Sequence, residues 1–145
     1  MSGFALQPAR VEDAPWIAEL RAVVMRPDLE RLGRYDATRV RQRFLTGFQP
    51  DLTHVITVAG TVVGVIAVRP EQEERWIEHF YLYPDHQGRG LGGEVLRWAL
   101  RQPPEGLPFR LNVLQGSPAR RLYERHGFVW ERENPVDVWL VRHPA

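Results

Sequence analysis

The sequence predicts one mixed α/β domain, and three observations carry the prediction. The hydrophobic period switches along the chain between helical and strand spacing. Two β-branched runs in "THVITVAGTVVGVIAVRP" flank a glycine turn and read as a hairpin. Two strand-then-helix units and a last hairpin follow in the second half. The length of 145 residues suits one domain, and 43% hydrophobic residues can build its core.

The elements follow in order. "FALQPAR" (Phe4 to Arg10) alternates and reads as a strand. The next stretch is helical, with Asp13 as N-cap and Pro15 in the first turn. Trp16, Ile17, Leu20, Val23 and Val24 share one face, and Pro27 is expected to end the helix. After a loop at Gly33, a second helix carries Val40, Phe44 and Leu45. The hairpin turns at Ala59-Gly60-Thr61, and "RWIEHFYLYP" (Arg75 to Pro84) adds a third strand. A glycine-rich loop leads into a helix over Leu91 to Leu100, followed by the strand "FRLNVL" (Phe109 to Leu114). In "SPARRLYERHGF", Ser117 caps a short helix, Pro118 opens it and Gly127 stops it. "FVWERE" and "VDVWLVRH" bracket Asn134-Pro135 as the final hairpin. The order is β-α-α-β-β-β-α-β-α-β-β.

Composition excludes several functions. A net charge of +1 argues against a broad nucleic-acid or membrane surface. The absence of cysteine removes disulfides, thiolate nucleophiles and cysteine-based zinc sites. His54, His86, His126 and His143 stand at no metal-ligand spacing, so no metal is expected. Trp16, Trp98, Trp130 and Trp139 read as core residues. With no apolar run long enough to span a membrane, the expectation is a soluble cytoplasmic protein. All 19 basic residues are arginine, which fits the coding bias of a GC-rich, bacterial genome.

The stretch "HQGRGLGGEVLRWAL" carries the chemistry. Gly88, Gly90 and Gly93 spell the dinucleotide pattern G-x-G-x-x-G. That motif normally follows a first strand, with an acidic residue on the next one. Here it lies past mid-chain, and "FRLNVL" has no acid. A nucleotide-triphosphate loop needs a lysine, which this chain lacks. What remains is a set of glycines, Gly88, Gly90, Gly92 and Gly93, baring peptide N–H groups at a helix N-terminus. Such a cradle suits a pyrophosphate, with Arg89 adding charge.

Two segments together resemble a known family. Leu82-Tyr83-Pro84 followed by Gln87-Gly88-Arg89-Gly90-Leu91-Gly92 resembles the V/L-x-P and Q/R-x-x-G-x-G/A core of the GNAT acetyltransferases. Downstream, Ala119, Leu122, Tyr123, Gly127 and Phe128 are similar to that superfamily's N-x-A-x-x-L-Y-x-x-x-G-F helix, with Ser117 where many members carry asparagine. The resemblance implies a central mixed, mostly antiparallel sheet of six or seven strands flanked by about four helices. It also implies transfer of an acetyl group from acetyl-CoA to an amine of a small molecule or peptide. Rival readings are another acyl group, a hydroxyl acceptor, or a catalytically silent acyl-CoA-binding module.

The same resemblance distributes the roles. Gln87 and the peptide groups of Gly88, Arg89, Gly90, Leu91 and Gly92 would take the pyrophosphate, and Ser117 would give one hydrogen bond. Leu82 and Tyr83 would offer backbone groups to the pantetheine arm. Tyr123 would be the acid, and Glu78 or His79 the base, with Glu78 favoured. Strand alternation allows only one of those two to face the cleft. Asp28, Glu30, Arg31, Arg34 and Tyr35 are polar enough to orient an acceptor. "VDVWLVRH" is expected to present a free strand edge for a homodimer.

Overall fold

The computed structural model describes residues 3–145. A sheet of seven strands forms its centre, in the order β1-β2-β3-β4-β5-β7-β6. The strands are β1 (Phe4–Pro8), β2 (Thr53–Val58), β3 (Thr61–Pro70), β4 (Arg75–Leu82), β5 (Phe109–Leu114), β6 (Val129–Glu133) and β7 (Asp137–Arg142). Four α-helices flank it: α1 (Ala14–Arg31), α2 (Ala37–Gly47), α3 (Leu91–Leu100) and α4 (Ala119–Arg125). Every strand pair is antiparallel except β4–β5. The element order and the mostly antiparallel sheet match the expectation.

Each face of the sheet has its own core. Leu91, Val95, Leu96 and Ala99 of α3 pack with Ile56, Val63, Ile66, Ile77, Phe109 and Phe128. Across the sheet, Ile17, Ala18 and Leu20 of α1 pack with Phe44 of α2 and Val65 of β3. Burying a side chain of this size is worth roughly 1.5–3 kcal/mol.

Several local expectations are corrected. Pro27 does not end α1, which continues to Arg31. Proline removes one intrahelical bond, but Arg26–Glu30 at 3.1 Å and Asp28–Arg31 at 2.7 Å brace the following turn. Arg31 also donates to the Gln115 carbonyl at 2.7 Å, anchoring that turn to the loop after β5. Asp13 stands at the N-cap position without capping. Its carboxylate accepts from the Arg10 N–H at 2.8 Å and the Trp16 indole at 2.9 Å. Val23 is 55% exposed and Trp130 is 51% exposed, so neither belongs to the core.

The dimer-edge expectation for "VDVWLVRH" also changes. β7 is hydrogen-bonded on both sides, to β5 and β6, so it has no free edge. The free edges of the sheet are β1 and β6. No helix of the described residues is long and apolar enough to cross a membrane. Nor do those residues hold a group of three His, Asp or Glu side chains that could bind a metal.

Candidate active site

The site begins where the sheet opens. β4 and β5 are paired only at Arg75↔Phe109 and Trp76↔Arg110. Buried Arg75 holds this closed end: it donates to the carbonyls of Gln102 and Leu107 and lies over the Phe109 ring. Beyond Trp76 the strands part, and a cavity of about 920 Å³ lies between Ile77–Tyr81 and Leu111–Leu114. α1, α2, Ser117, Tyr123 and the β6–β7 turn complete its wall.

A bulge in β4 shapes this cleft. The register runs Ala67↔Glu78 and then Val65↔Tyr81, which leaves one extra residue in β4. His79 takes φ 50°, a left-handed conformation that histidine tolerates better than most side chains. The bulge breaks strict alternation. Ile77 and Phe80 join the α3-side core, whereas His79 meets the edge of Phe44 and Tyr81 packs with the α1–α2 core. Glu78 reaches Arg69 at 2.5 Å on that same side. Both Glu78 and His79 therefore line the cavity, against the expectation that only one would.

Their surroundings differ. Glu78 is held by Arg69, which also pairs with Glu71. His79 belongs to a chain of polar contacts. Arg21 Nε donates to the Tyr81 hydroxyl at 3.0 Å, and that hydroxyl lies 3.1 Å from His79 Nδ1. Burial, then the Arg21 guanidinium, pushes His79 down to about 4. The imidazole is thus neutral at pH 7. Arg21 also donates to the Val40 carbonyl, so one buried guanidinium ties α1 to both α2 and β4. Sequence reading passed over Arg21 and Tyr81. The available signal was an arginine beside Leu20, just off the apolar stripe of α1.

The buried imidazole has a stability consequence. Unfolded, His79 takes a proton near pH 6.5, but folded only near pH 4. Between these values the unfolded chain binds more protons, so stability falls as pH drops. The full loss from His79 is about 3 kcal/mol. His79→Asn, which keeps a residue tolerant of positive φ, should flatten the decline. Urea unfolding at pH 7 and pH 4 measures it, and equal losses in both proteins would refute this account.

At the outer end of β4, the ladder selects which peptide groups are free. The Tyr83 N–H donates to the Val63 carbonyl at 2.9 Å. Leu82, paired with Gly64, alternates with it and turns its peptide groups toward the open side. The Leu82 carbonyl accepts from Gln87 Nε2 at 2.9 Å, so Gln87 ties the glycine loop to β4.

The loop itself is built for backbone exposure. Gly88 and Gly90 adopt φ 74° and 83°, and nothing lies within 4 Å of where their Cβ atoms would be. Gly90 caps α3 without a side-chain bond. The first intrahelical bond runs from Glu94 to Gly90, leaving the N–H groups of Leu91, Gly92 and Gly93 without a helical acceptor. Arg89 is exposed beside them. Gly92 and Gly93 lie closest to Leu122 and to Arg97 and His126, respectively, so both also serve helix packing.

α4 starts one residue later than expected, with Pro118 rather than Ser117 at the N-cap position. Just before it, Ser117 Oγ accepts from the Ala119 N–H at 3.2 Å, which leaves its own O–H free to donate. Tyr123 is 7% exposed, and its ring packs edge-on against Phe128. Its hydroxyl has no hydrogen-bond partner among the described residues, and the side chain lines the cavity. Burial, then Tyr81, raises its pKa, so the hydroxyl keeps its proton. Of the expected acceptor-side residues, Asp28, Arg34 and Tyr35 line the cavity; Glu30 pairs with Arg26 and Arg31 with Asp28.

Comparison with known proteins accords with this geometry. The family model described as an acetyltransferase (GNAT) domain matches residues 49–130. No curated protein sequence matches significantly. An acetyltransferase from Thermus thermophilus superposes with a TM-score of 0.73 at 22% identity, covering 99% of each chain. PaiA N-acetyltransferase from Thermoplasma acidophilum, solved with coenzyme A, gives 0.73 at 16% identity over 97% of this chain and 98% of that one. YjaB from Escherichia coli, in its apo form, gives 0.73 at 18% identity over 98% and 99%. With more than half its length matched by the family model and its fold shared across nearly the whole chain, the protein belongs to the GNAT acetyltransferase family.

Proposed function

We infer that the protein moves an acetyl group from acetyl-CoA to a primary amine of a small molecule or peptide, by direct attack of the amine on the thioester. The observation that carries this reading is the Tyr123 hydroxyl, without a hydrogen-bond partner among the described residues, on the cavity where β4 and β5 part.

The residues present suit coenzyme A. The N–H groups of Leu91, Gly92 and Gly93, the α3 dipole and the Arg89 guanidinium would hold its pyrophosphate. Gln87 positions that loop by its bond to Leu82. The Leu82 peptide would pair with the pantetheine amides, while Tyr83 has spent its N–H on β3. Ser117 would donate one hydrogen bond. Bound acetyl-CoA supplies an acyl group already activated as a thioester.

The chain's own groups handle protons. An alkyl ammonium, with pKa about 10.4, must lose its proton before it can attack. Glu78 lines the cavity and takes that proton, directly or through water. His79, neutral at pH 7, stays a hydrogen-bonding group held by Tyr81. Tyr123 holds a proton at Oη and delivers it to the departing sulfur.

One observation favours a second reading, a silent acyl-CoA-binding module: Glu78 is already paired with Arg69. Thiol release measured against an amine panel separates the two. Acceleration by an amine is expected. Tight acetyl-CoA binding, with no amine raising CoA release above hydrolysis, would favour the silent module.

A further inference from the structure

Resting on the transfer reading, we propose that the acceptor is an amine that also carries an anionic group, a carboxylate or a phosphate, held by Arg34, Arg39 and Arg43. All three guanidinium-bearing residues line the cavity on its α1–α2 side. Arg39 and Arg43 stand one turn apart on α2, and Arg34 lies in the loop before it. Among the described residues, none of the three side chains has a hydrogen-bond or carboxylate partner.

The carboxylates of the same wall are all engaged. Asp28 pairs with Arg31 at 2.7 Å and Glu78 with Arg69 at 2.5 Å. Asp36 caps α2, accepting from the N–H groups of Thr38 at 3.0 Å and Arg39 at 2.8 Å. Asp137 accepts from Asn112 at 3.0 Å. The fourth cation, Arg21, is spent on Val40 and Tyr81. What the wall offers a ligand is therefore positive charge in a planar form that binds carboxylate or phosphate through paired N–H donors.

This arrangement repels a polycation and orients an anion. It also fits the chemistry, because guanidinium groups near the amine disfavour its ammonium form. The acceptor then sheds its proton more readily, although Glu78 shares its charge with Arg69.

The test measures kcat/KM by CoA release for the twenty amino acids against their amides, and for phosphoethanolamine against ethanolamine, with spermidine as the polycation. At least one amine that carries the anion should exceed its counterpart without it about 10-fold or more. The pair in which this occurs tells carboxylate from phosphate. The double variant R39Q/R43Q should bring that ratio close to one. A best acceptor that lacks an anionic group or is a polyamine, or a ratio unmoved in the variant, overturns the proposal. If no amine is acetylated, the transfer reading fails by itself. Calorimetry on CoA-loaded protein then decides the anion site, using N-acetyl amino acids and phosphoethanolamine as probes. Binding abolished by R39Q/R43Q upholds the site, and no binding of any probe overturns it.

Discussion

Gly64→Ala is expected to destabilise the protein by about 2–3 kcal/mol. Gly64 faces Leu82 across the β3–β4 ladder. A Cβ there would lie 2.2 Å from the Tyr81 carbonyl oxygen, 2.8 Å from Leu82 Cδ2 and 3.1 Å from Leu82 Cα. Two of these three neighbours are backbone atoms and cannot rotate away. Relief requires β3 and β4 to part at the point where β4 delivers the Leu82 peptide to the cleft. A domain of ordinary stability, roughly 5–15 kcal/mol, would survive but be weakened. The same shift should loosen coenzyme A binding. Urea unfolding measures the first effect and titration with coenzyme A the second. A loss below about 0.5 kcal/mol would mean that the strands adjust freely and that the close approach has no structural weight.

Tyr123→Phe should lower kcat by about 100-fold, within the usual range for a positioned acid. The affinity for coenzyme A should change little. The variant loses only a hydroxyl that has no hydrogen-bond partner among the described residues, so stability should hold or rise slightly. Three readouts together separate an acid from a packing residue: turnover falls, binding stays and the unfolding midpoint stays. Full turnover in the variant would remove Tyr123 from the chemistry. Lost stability with proportionately lost activity would make it a core residue only.

Much of the fold was legible because its signals are local. The β2–β3 hairpin follows from Ala59-Gly60, which take φ 51° and 79°, a pair suited to a two-residue turn. α3 is announced by glycines followed by apolar spacing, and α4 by Ser117-Pro118. Pro27 misled because its effect is local while its remedy is not: Arg31 reaches Gln115, far along the chain. Gly64 carried a signal that was passed over, since a lone glycine within a strand marks a bulge or a close approach.

The sequence alone determined the element order, the glycine loop with its bare N–H groups, and the helix that carries Tyr123. These depend on residue types within a turn or two of one another. Only the tertiary structure decided the chemistry of the cleft. It set Glu78 and His79 on one side through a bulge that residue types do not announce. It gave Glu78 to Arg69, and joined Arg21, Tyr81 and His79 into one buried chain. It turned Leu82 rather than Tyr83 toward the opening, and left Arg34, Arg39 and Arg43 without side-chain partners among the described residues. Charge state and access depend on what packs against a group. Here those neighbours come from other strands and helices, some as distant in the chain as Arg21 is from Tyr81.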